Sequence, residues 1–167
     1  MAVILITGGA RSGKSRRAEA RAHNFPGQPV YIATAEALDA EMTERIAGHR
    51  ARRGTDWIER EEPLDLVQAL TETDGGGARL VDCLTLWLSN LLHAERDWTR
   101  EVARLAEALP RLKSPVVLVS NEVGLGIVPD NALARAFRDA AGIMNQAIAA
   151  IADEVEFVVA GLPMKLK

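Results

Sequence analysis

Ile4-Leu5-Ile6-Thr7-Gly8-Gly9-Ala10-Arg11-Ser12-Gly13-Lys14-Ser15 is the stretch that decides how the rest of the chain is read. A short apolar strand runs straight into G-x-x-x-x-G-K-S, the spacing of a phosphate-binding loop. Gly8 and Gly13 let the backbone close tightly around an anion, so that N–H groups of the loop and of the next helix start point at phosphate oxygens. Lys14 is placed to reach the β- and γ-phosphates, and the Ser15 hydroxyl to ligate Mg²⁺. The same letters can fall by chance in a surface turn. Here, however, a strand precedes them and a helical pattern follows, and the stretch predicts a nucleoside triphosphate site. Such a loop names the class of bound nucleotide and leaves the reaction open.

Working outward, a helix is expected over about 13–24, ended by Asn24, Pro26 and Gly27. A strand at 29–34 and a helix at 36–53 follow, the latter with Leu38, Met42 and Ile46 as its inward stripe. A helix over 63–72 begins near Pro63 and carries Leu66, Val67 and Leu70 on one face. Beyond the Gly75-Gly76-Gly77 turn come a strand at 78–82, a mostly buried helix at 84–92 and a helix at 98–109 with Val102, Leu105, Ala106 and Leu109. A strand at 115–120, a loop to Asp130, a helix over 131–153 striped by Leu133, Phe137, Met144, Ile148 and Ile151, and a last strand at 155–160 complete the chain. Asp130 or Asn131 would cap that last helix. Continuously apolar strands alternating with helices predict an α/β fold, a mostly parallel sheet flanked by helices around the phosphate loop. Ligands of such sheets sit at the carboxyl ends of the strands, which would gather Gly8–Ser15, Thr34, Asp82 and Asn121-Glu122.

The 167 residues suit one nucleotide-binding catalytic domain. With 48% hydrophobic and 26% charged residues the composition is ordinary, and a net charge of −3 gives no reason to expect nucleic acid as a partner. No apolar run approaches the ~20 residues of a membrane span. The first strand starts at once, so no signal peptide is expected, and the single cysteine, Cys83, fits a cytoplasmic protein. Cys83 lies in an apolar run and reads as a small core residue.

Asp82 closes an apolar strand, the place of the second Mg²⁺ contact in phosphate-loop proteins, although an acid there can also be simply solvated. His49 has Arg45 at i−4, Arg52 at i+3 and Arg53 at i+4. Neighbouring cations disfavour imidazolium, which would leave a neutral, nucleophilic ring among phosphate-holding guanidiniums. A solvated basic helix end fits the same letters. Arg11 could touch a phosphate or stack on a neighbour. Glu61 belongs to the charge run Glu59-Arg60-Glu61-Glu62, which alone reads as a solvated face. Asn121-Glu122 could position a substrate or satisfy loop backbone. His23 and His93 read as surface residues.

Taken together, these stretches resemble the bifunctional adenosylcobinamide kinase / adenosylcobinamide-phosphate guanylyltransferase family of cobalamin biosynthesis. The resemblance runs through Thr7 to Ser15, Tyr31-Ile32-Ala33-Thr34-Ala35, Glu41-Met42, Arg45-Ile46, His49-Arg50, Asn121-Glu122-Val123-Gly124, Gly126-Ile127-Val128-Pro129 and Leu133-Ala134-Arg135. Phe137-Arg138-Asp139, Gly142, Asn145-Gln146 and Ala152-Asp153-Glu154-Val155 extend it. It implies a RecA-like fold and two activities. One is phosphorylation of the hydroxyl on the corrinoid's aminopropanol arm by ATP or GTP. The other is transfer of GMP from GTP to that phosphate through a phosphoramidate on a histidine, matched here by His49. It also implies nucleotide contacts at Gly8, Gly9, Ala10, Arg11, Ser12, Gly13, Lys14 and Ser15, at Ala33, Thr34 and Ala35, at Arg50, Ala51, Arg52 and Arg53, and at Glu61 and Asp82. Family members can carry Glu where this chain has Asp82. Arg50 to Arg53 and Glu61 match mainly by their distance from His49. A homo-oligomer, such as a trimer, is a further expectation.

The two activities attack different phosphorus atoms, γ for the kinase and α for the guanylyl transfer. One loop serving both requires two nucleotide placements or a movement of the His49 helix. Other readings remain: a small-molecule kinase in which His49 only binds phosphate, or a nucleotide-switched binding module without an acceptor.

Overall fold

The computed structural model describes residues 2–36, 44, 48 and 54–167. The elements in chain order are β1 (Val3–Gly8), α1 (Lys14–His23), β2 (Val30–Ala33), β3 (Ile58–Glu61), α2 (Leu66–Glu72), β4 (Arg79–Asp82), α3 (Leu84–His93), α4 (Trp98–Ala108), β5 (Val116–Asn121), α5 (Ala132–Ile151), β6 (Glu154–Val159) and β7 (Leu162–Lys165). The strands form one sheet in the order β3-β2-β4-β5-β1-β6-β7. All pairings are parallel except that of β6 with β7. The mostly parallel α/β architecture expected from the sequence is therefore observed.

The strands are apolar throughout because both faces are covered, and their period of two sorts the side chains between two cores. Val3 and Leu5 of β1, Val81 of β4, and Val116 and Leu118 of β5 join one core with Leu66 and Leu70 of α2, Leu88 of α3, Leu105 of α4 and Met144 and Ile148 of α5. Ile4 and Ile6, Leu80, and Val117 and Val119 join the other with Ala18 and Ala22 of α1, Tyr31 and Trp57. The alanines of α1 let that helix lie close on the sheet, which sets the phosphate loop directly over the end of β1.

Arg79 and Glu156 are buried charged groups in structural roles. Arg79 is 0% exposed and is held by Asp74 and the Ser114 carbonyl. Burial works against the Asp74 charge. The N–H groups of Ser114 and Lys113 and the Arg79 guanidinium outweigh it, and hold that carboxyl well below the usual carboxylate range. Glu156 of β6 binds Arg17 at 2.7 Å and Arg21 at 2.6 Å, tying α1 to β6.

Several expectations need correction. The charge run at 59–62 is solvent-facing as expected, but it overlaps a strand, β3, that is not expected there. β3 is an exposed edge strand whose charged side chains suit a sheet margin. β6 is not the last strand. Ala160 and Gly161, with φ of 51° and 79°, make a two-residue turn into β7, which pairs Val159 with Leu162. The helix placed at 63–72 begins at Leu66 after Asp65. Asn131, not Asp130, caps α5 by accepting the Ala134 N–H at 2.7 Å. Leu133 is not on the inward stripe of α5; it is exposed. The expected helix over 36–53 falls mostly outside the described residues. Within it Glu44 and Gly48 are helical and exposed, while Leu38, Met42, Ile46, His49 and Arg50 to Arg53 are among those not described.

Candidate active site

The parallel register brings the expected strand ends to one edge. Gly8 pairs with Asn121, and Ala33 lies between Asp82 on one side and Glu61 on the other. The loop between β1 and α1 turns on Arg11 and Gly13, with φ of 56° and 94°. A left-handed Gly13 directly before Lys14 aims the first N–H groups of α1 back into the loop. Gly8 is required for another reason. A Cβ there would stand 2.6 Å from the Val158 carbonyl and 2.6 Å from the Ser12 hydroxyl.

Neighbouring backbone shapes the loop from outside. The Ser12 carbonyl accepts the Gly161 N–H at 2.8 Å, and a Cβ on Gly13 would approach the Gly161 Cα at 3.2 Å. The β6–β7 turn therefore braces the loop. On the other flank, the Glu122 N–H donates to the Gly8 carbonyl at 3.0 Å. The Lys14 side chain is buried and donates to the Gly9 carbonyl at 3.0 Å. Ser15 follows it in the first turn of α1, half-buried; Ala10 and Arg11 are exposed.

Asp82, at the end of β4, accepts a hydrogen bond from the Tyr31 hydroxyl at 2.7 Å. Thr34 is fully buried. Its hydroxyl accepts from the Cys83 N–H and donates to the Cys83 carbonyl, both at 2.8 Å. Thr34 thus fixes the backbone just after Asp82. The Asn90 carboxamide donates to the Thr34 carbonyl at 2.7 Å and the Pro63 carbonyl at 3.1 Å, joining α3 to the ends of β2 and β3. Burial, with Asp82 adjacent, pushes the Cys83 thiol up, which suits the inert core role expected of it.

Asn121 and Glu122 are engaged locally. The Asn121 carboxamide donates to the Thr85 hydroxyl at 2.6 Å, and the Glu122 carboxylate accepts the Gly124 N–H. Glu61 is exposed at the end of β3, and Ala35 is half-buried beyond β2. His49 and Arg50, Ala51, Arg52 and Arg53 lie outside the described residues. Tyr31, Asn90 and Gly161 carry structural weight at the site that sequence reading did not assign. A carboxamide inside the apolar run Leu84 to Leu92 was the available signal for Asn90.

A Ser hydroxyl beside a phosphate loop and a carboxylate on a nearby strand are hard oxygen donors of the kind Mg²⁺ takes alongside phosphate oxygens and water. Ser15 and Asp82 supply them. No cluster of three or more His, Cys, Asp or Glu suited to a metal occurs among the described residues. A hydroxyl and a single carboxylate fit an ion whose remaining ligands are phosphate oxygens and water. A shallow cleft of about 770 Å³ between Pro26–Gln28 and Gly75–Gly77 lies at the opposite, amino-terminal end of β2.

Residues 4–166 match the model of a family described as cobinamide kinase / cobinamide phosphate guanyltransferase. The bifunctional adenosylcobalamin biosynthesis protein CobP of Pseudomonas aeruginosa is 52% identical, over 98% of this chain and 96% of that one. The bifunctional adenosylcobalamin biosynthesis protein CobU of Salmonella typhimurium is 46% identical, over 99% of each. Among solved structures, a type III secretion ATPase superposes with a TM-score of 0.56 at 12% identity, over 98% of this chain and 56% of that one. A KaiC-like protein of Pyrococcus horikoshii gives 0.52 at 13% identity, over 93% and 70%. These last two show a shared fold and nothing further.

Proposed function

The chain belongs to the cobinamide kinase / cobinamide phosphate guanyltransferase family, and from that membership we propose that it carries both activities at the edge formed by Gly8, Asp82 and Asn121. In the first, the hydroxyl of adenosylcobinamide attacks the γ-phosphorus of ATP or GTP, a P–O bond to the nucleoside diphosphate breaks, and the hydroxyl proton is lost. In the second, a ring nitrogen of His49 attacks the α-phosphorus of GTP and pyrophosphate leaves. The phosphate of adenosylcobinamide phosphate then attacks the same phosphorus. The N–P bond breaks, giving adenosylcobinamide-GDP and free His49.

The observation that carries this reading is a family match from residue 4 to residue 166 on a chain whose phosphate loop is fully formed. The loop N–H groups and Lys14 bind and neutralise the phosphates. Thr34 and Tyr31 hold the end of β4, which supports a role for Asp82 at the nucleotide in a fixed orientation. Ser15 and Asp82 would hold Mg²⁺, which supplies charge neutralisation at the phosphate oxygens. Ala33, Ala35, Glu61 and the Arg50–Arg53 stretch are assigned to the rest of the nucleotide. We place the activity in the cytoplasm, in keeping with the biosynthetic role of the relatives, and in one catalytic domain assembled as a homo-oligomer. No helix among the described residues is long and apolar enough to cross a membrane.

The test is incubation with cobinamide, Mg²⁺ and each nucleotide in turn, with corrinoid products resolved by mass. Cobinamide phosphate followed by cobinamide-GDP supports both steps. Cobinamide phosphate alone, with no pyrophosphate from GTP, leaves a kinase without guanylyl transfer.

A further inference from the structure

The segment joining β5 to α5 is unusual among the described surfaces. It starts at the phosphate loop, where the Glu122 N–H meets the Gly8 carbonyl. Its backbone is held in place. The Arg135 guanidinium donates to the carbonyls of Pro129 at 2.9 Å and Asp130 at 2.8 Å, and Asn131 caps the helix that follows. Its apolar side chains nevertheless face outward: Ile127 is 97% exposed, Leu125 80% and Val128 61%, and Leu133, in the first turn of α5, is 78% exposed. Scattered apolar residues on a surface need no explanation, but four within nine positions, on a braced segment that starts at the phosphate loop and on the first turn of the helix it enters, form a patch of the kind that marks a binding surface.

We propose that this ridge is the docking surface for the corrin ring of the acceptor, a proposal that rests on the function argued above. The acceptor hydroxyl must reach a nucleotide phosphate seated in the loop, and the ridge is bonded to that loop at Gly8. Alkylcobinamide is a bulky cation with a rim of neutral amides and two broad apolar faces. The ridge offers apolar side chains with Glu122 and Asp130 at its ends, while the guanidinium of Arg135 is turned onto backbone carbonyls. Polarity and charge therefore match this occupant.

The experiment compares wild type, the double variant Leu125→Ser/Ile127→Ser, and Leu166→Ser, an exposed apolar site beyond β7 that serves as control. Cobinamide binding is read by equilibrium dialysis at its visible absorbance, turnover by cobinamide phosphate formed, and assembly by sedimentation velocity. The double variant should raise both Kd and KM for cobinamide about tenfold or more, with kcat held within about twofold and sedimentation unchanged. Leu166→Ser should bind as wild type does. Unaltered cobinamide binding in the double variant overturns the proposal, as does equal weakening by Leu166→Ser. A change of assembly state in the double variant also overturns it, by assigning the ridge to contact between copies. Wild type that binds cobinamide through the ridge without phosphorylating it would sink the activity and leave the docking surface standing. Full turnover in every variant would do the reverse.

Discussion

The Tyr31 hydroxyl donates to Asp82 at 2.7 Å across the neighbouring strands β2 and β4. The contact orients the carboxylate from within the sheet, because Tyr31 is itself buried with its ring edge-on to Trp57 at 5.8 Å. Tyr31→Phe keeps the packing and removes the donor. It should cost about 1 kcal/mol of stability and lower kcat/KM for the nucleotide about tenfold. The apparent Mg²⁺ requirement should rise with it. Mg²⁺ titrations of both proteins check this; an unchanged Mg²⁺ dependence would remove Asp82 from the metal.

Lys14→Met should leave the fold intact and cut turnover by about 100-fold or more, since it deletes the cation that meets the developing charge on the phosphates. Circular dichroism and calorimetric nucleotide titration separate the two effects. A variant that retains wild-type turnover would mean that the loop does not hold the reacting phosphates.

Gly8→Ala and Gly9→Ala should behave differently although the residues are adjacent. A Cβ on Gly8 meets the Val158 carbonyl at 2.6 Å, and that carbonyl belongs to a paired strand that cannot yield cheaply. A Cβ on Gly9 meets nothing within 4 Å. Gly8→Ala should lose about 1–3 kcal/mol, read as a Tm lower by about 2–4 °C per kcal/mol. Gly9→Ala should melt as the wild type does. Scanning calorimetry of the pair decides it.

Stability should fall in acid through Glu156. The hydrogen bond from Arg17 and the charges of Arg17 and Arg21 lower its pKa below 4.5, against the effect of burial. A carboxylate whose pKa is depressed on folding stabilises above its unfolded value. That contribution is lost as pH falls through the folded value. Glu156→Gln should therefore be less stable than wild type at neutral pH, and the gap should close as the pH drops below about 4.5. Urea melts of both proteins across that range check it. A gap independent of pH would assign the loss to packing alone.

Parts of this fold were legible because single residues carry strong local signals. The glycines of the phosphate loop, the apolar strands and the 3.6-residue stripe of α4 led directly to their elements. β3 was hidden because an edge strand with one side in solvent tolerates Glu59, Arg60 and Glu61, which erases the apolar run that marks a buried strand. β7 was hidden behind Ala160-Gly161, a turn with only one glycine, and by Pro163, which an edge position tolerates. Its alternation of Leu162, Met164 and Leu166 was the signal available. At the site, sequence spacing brought Gly8, Thr34, Asp82 and Asn121 to one edge. It could not reveal that Thr34 is committed to the Cys83 backbone or that Tyr31 holds Asp82, because these contacts join residues 49 and 51 positions apart in sequence. The part assigned to His49 came from resemblance and stands as a proposal.

The central claim, that His49 carries GMP, is tested most directly with GTP labelled on its α-phosphate. Wild type and His49→Ala are incubated with Mg²⁺ and no corrinoid, then denatured and counted. The account predicts protein-bound label that is acid-labile and alkali-stable in wild type and absent from the variant, with one pyrophosphate released per label bound. Wild type that binds GTP yet takes no label, or a variant labelled as fully as wild type, would contradict it.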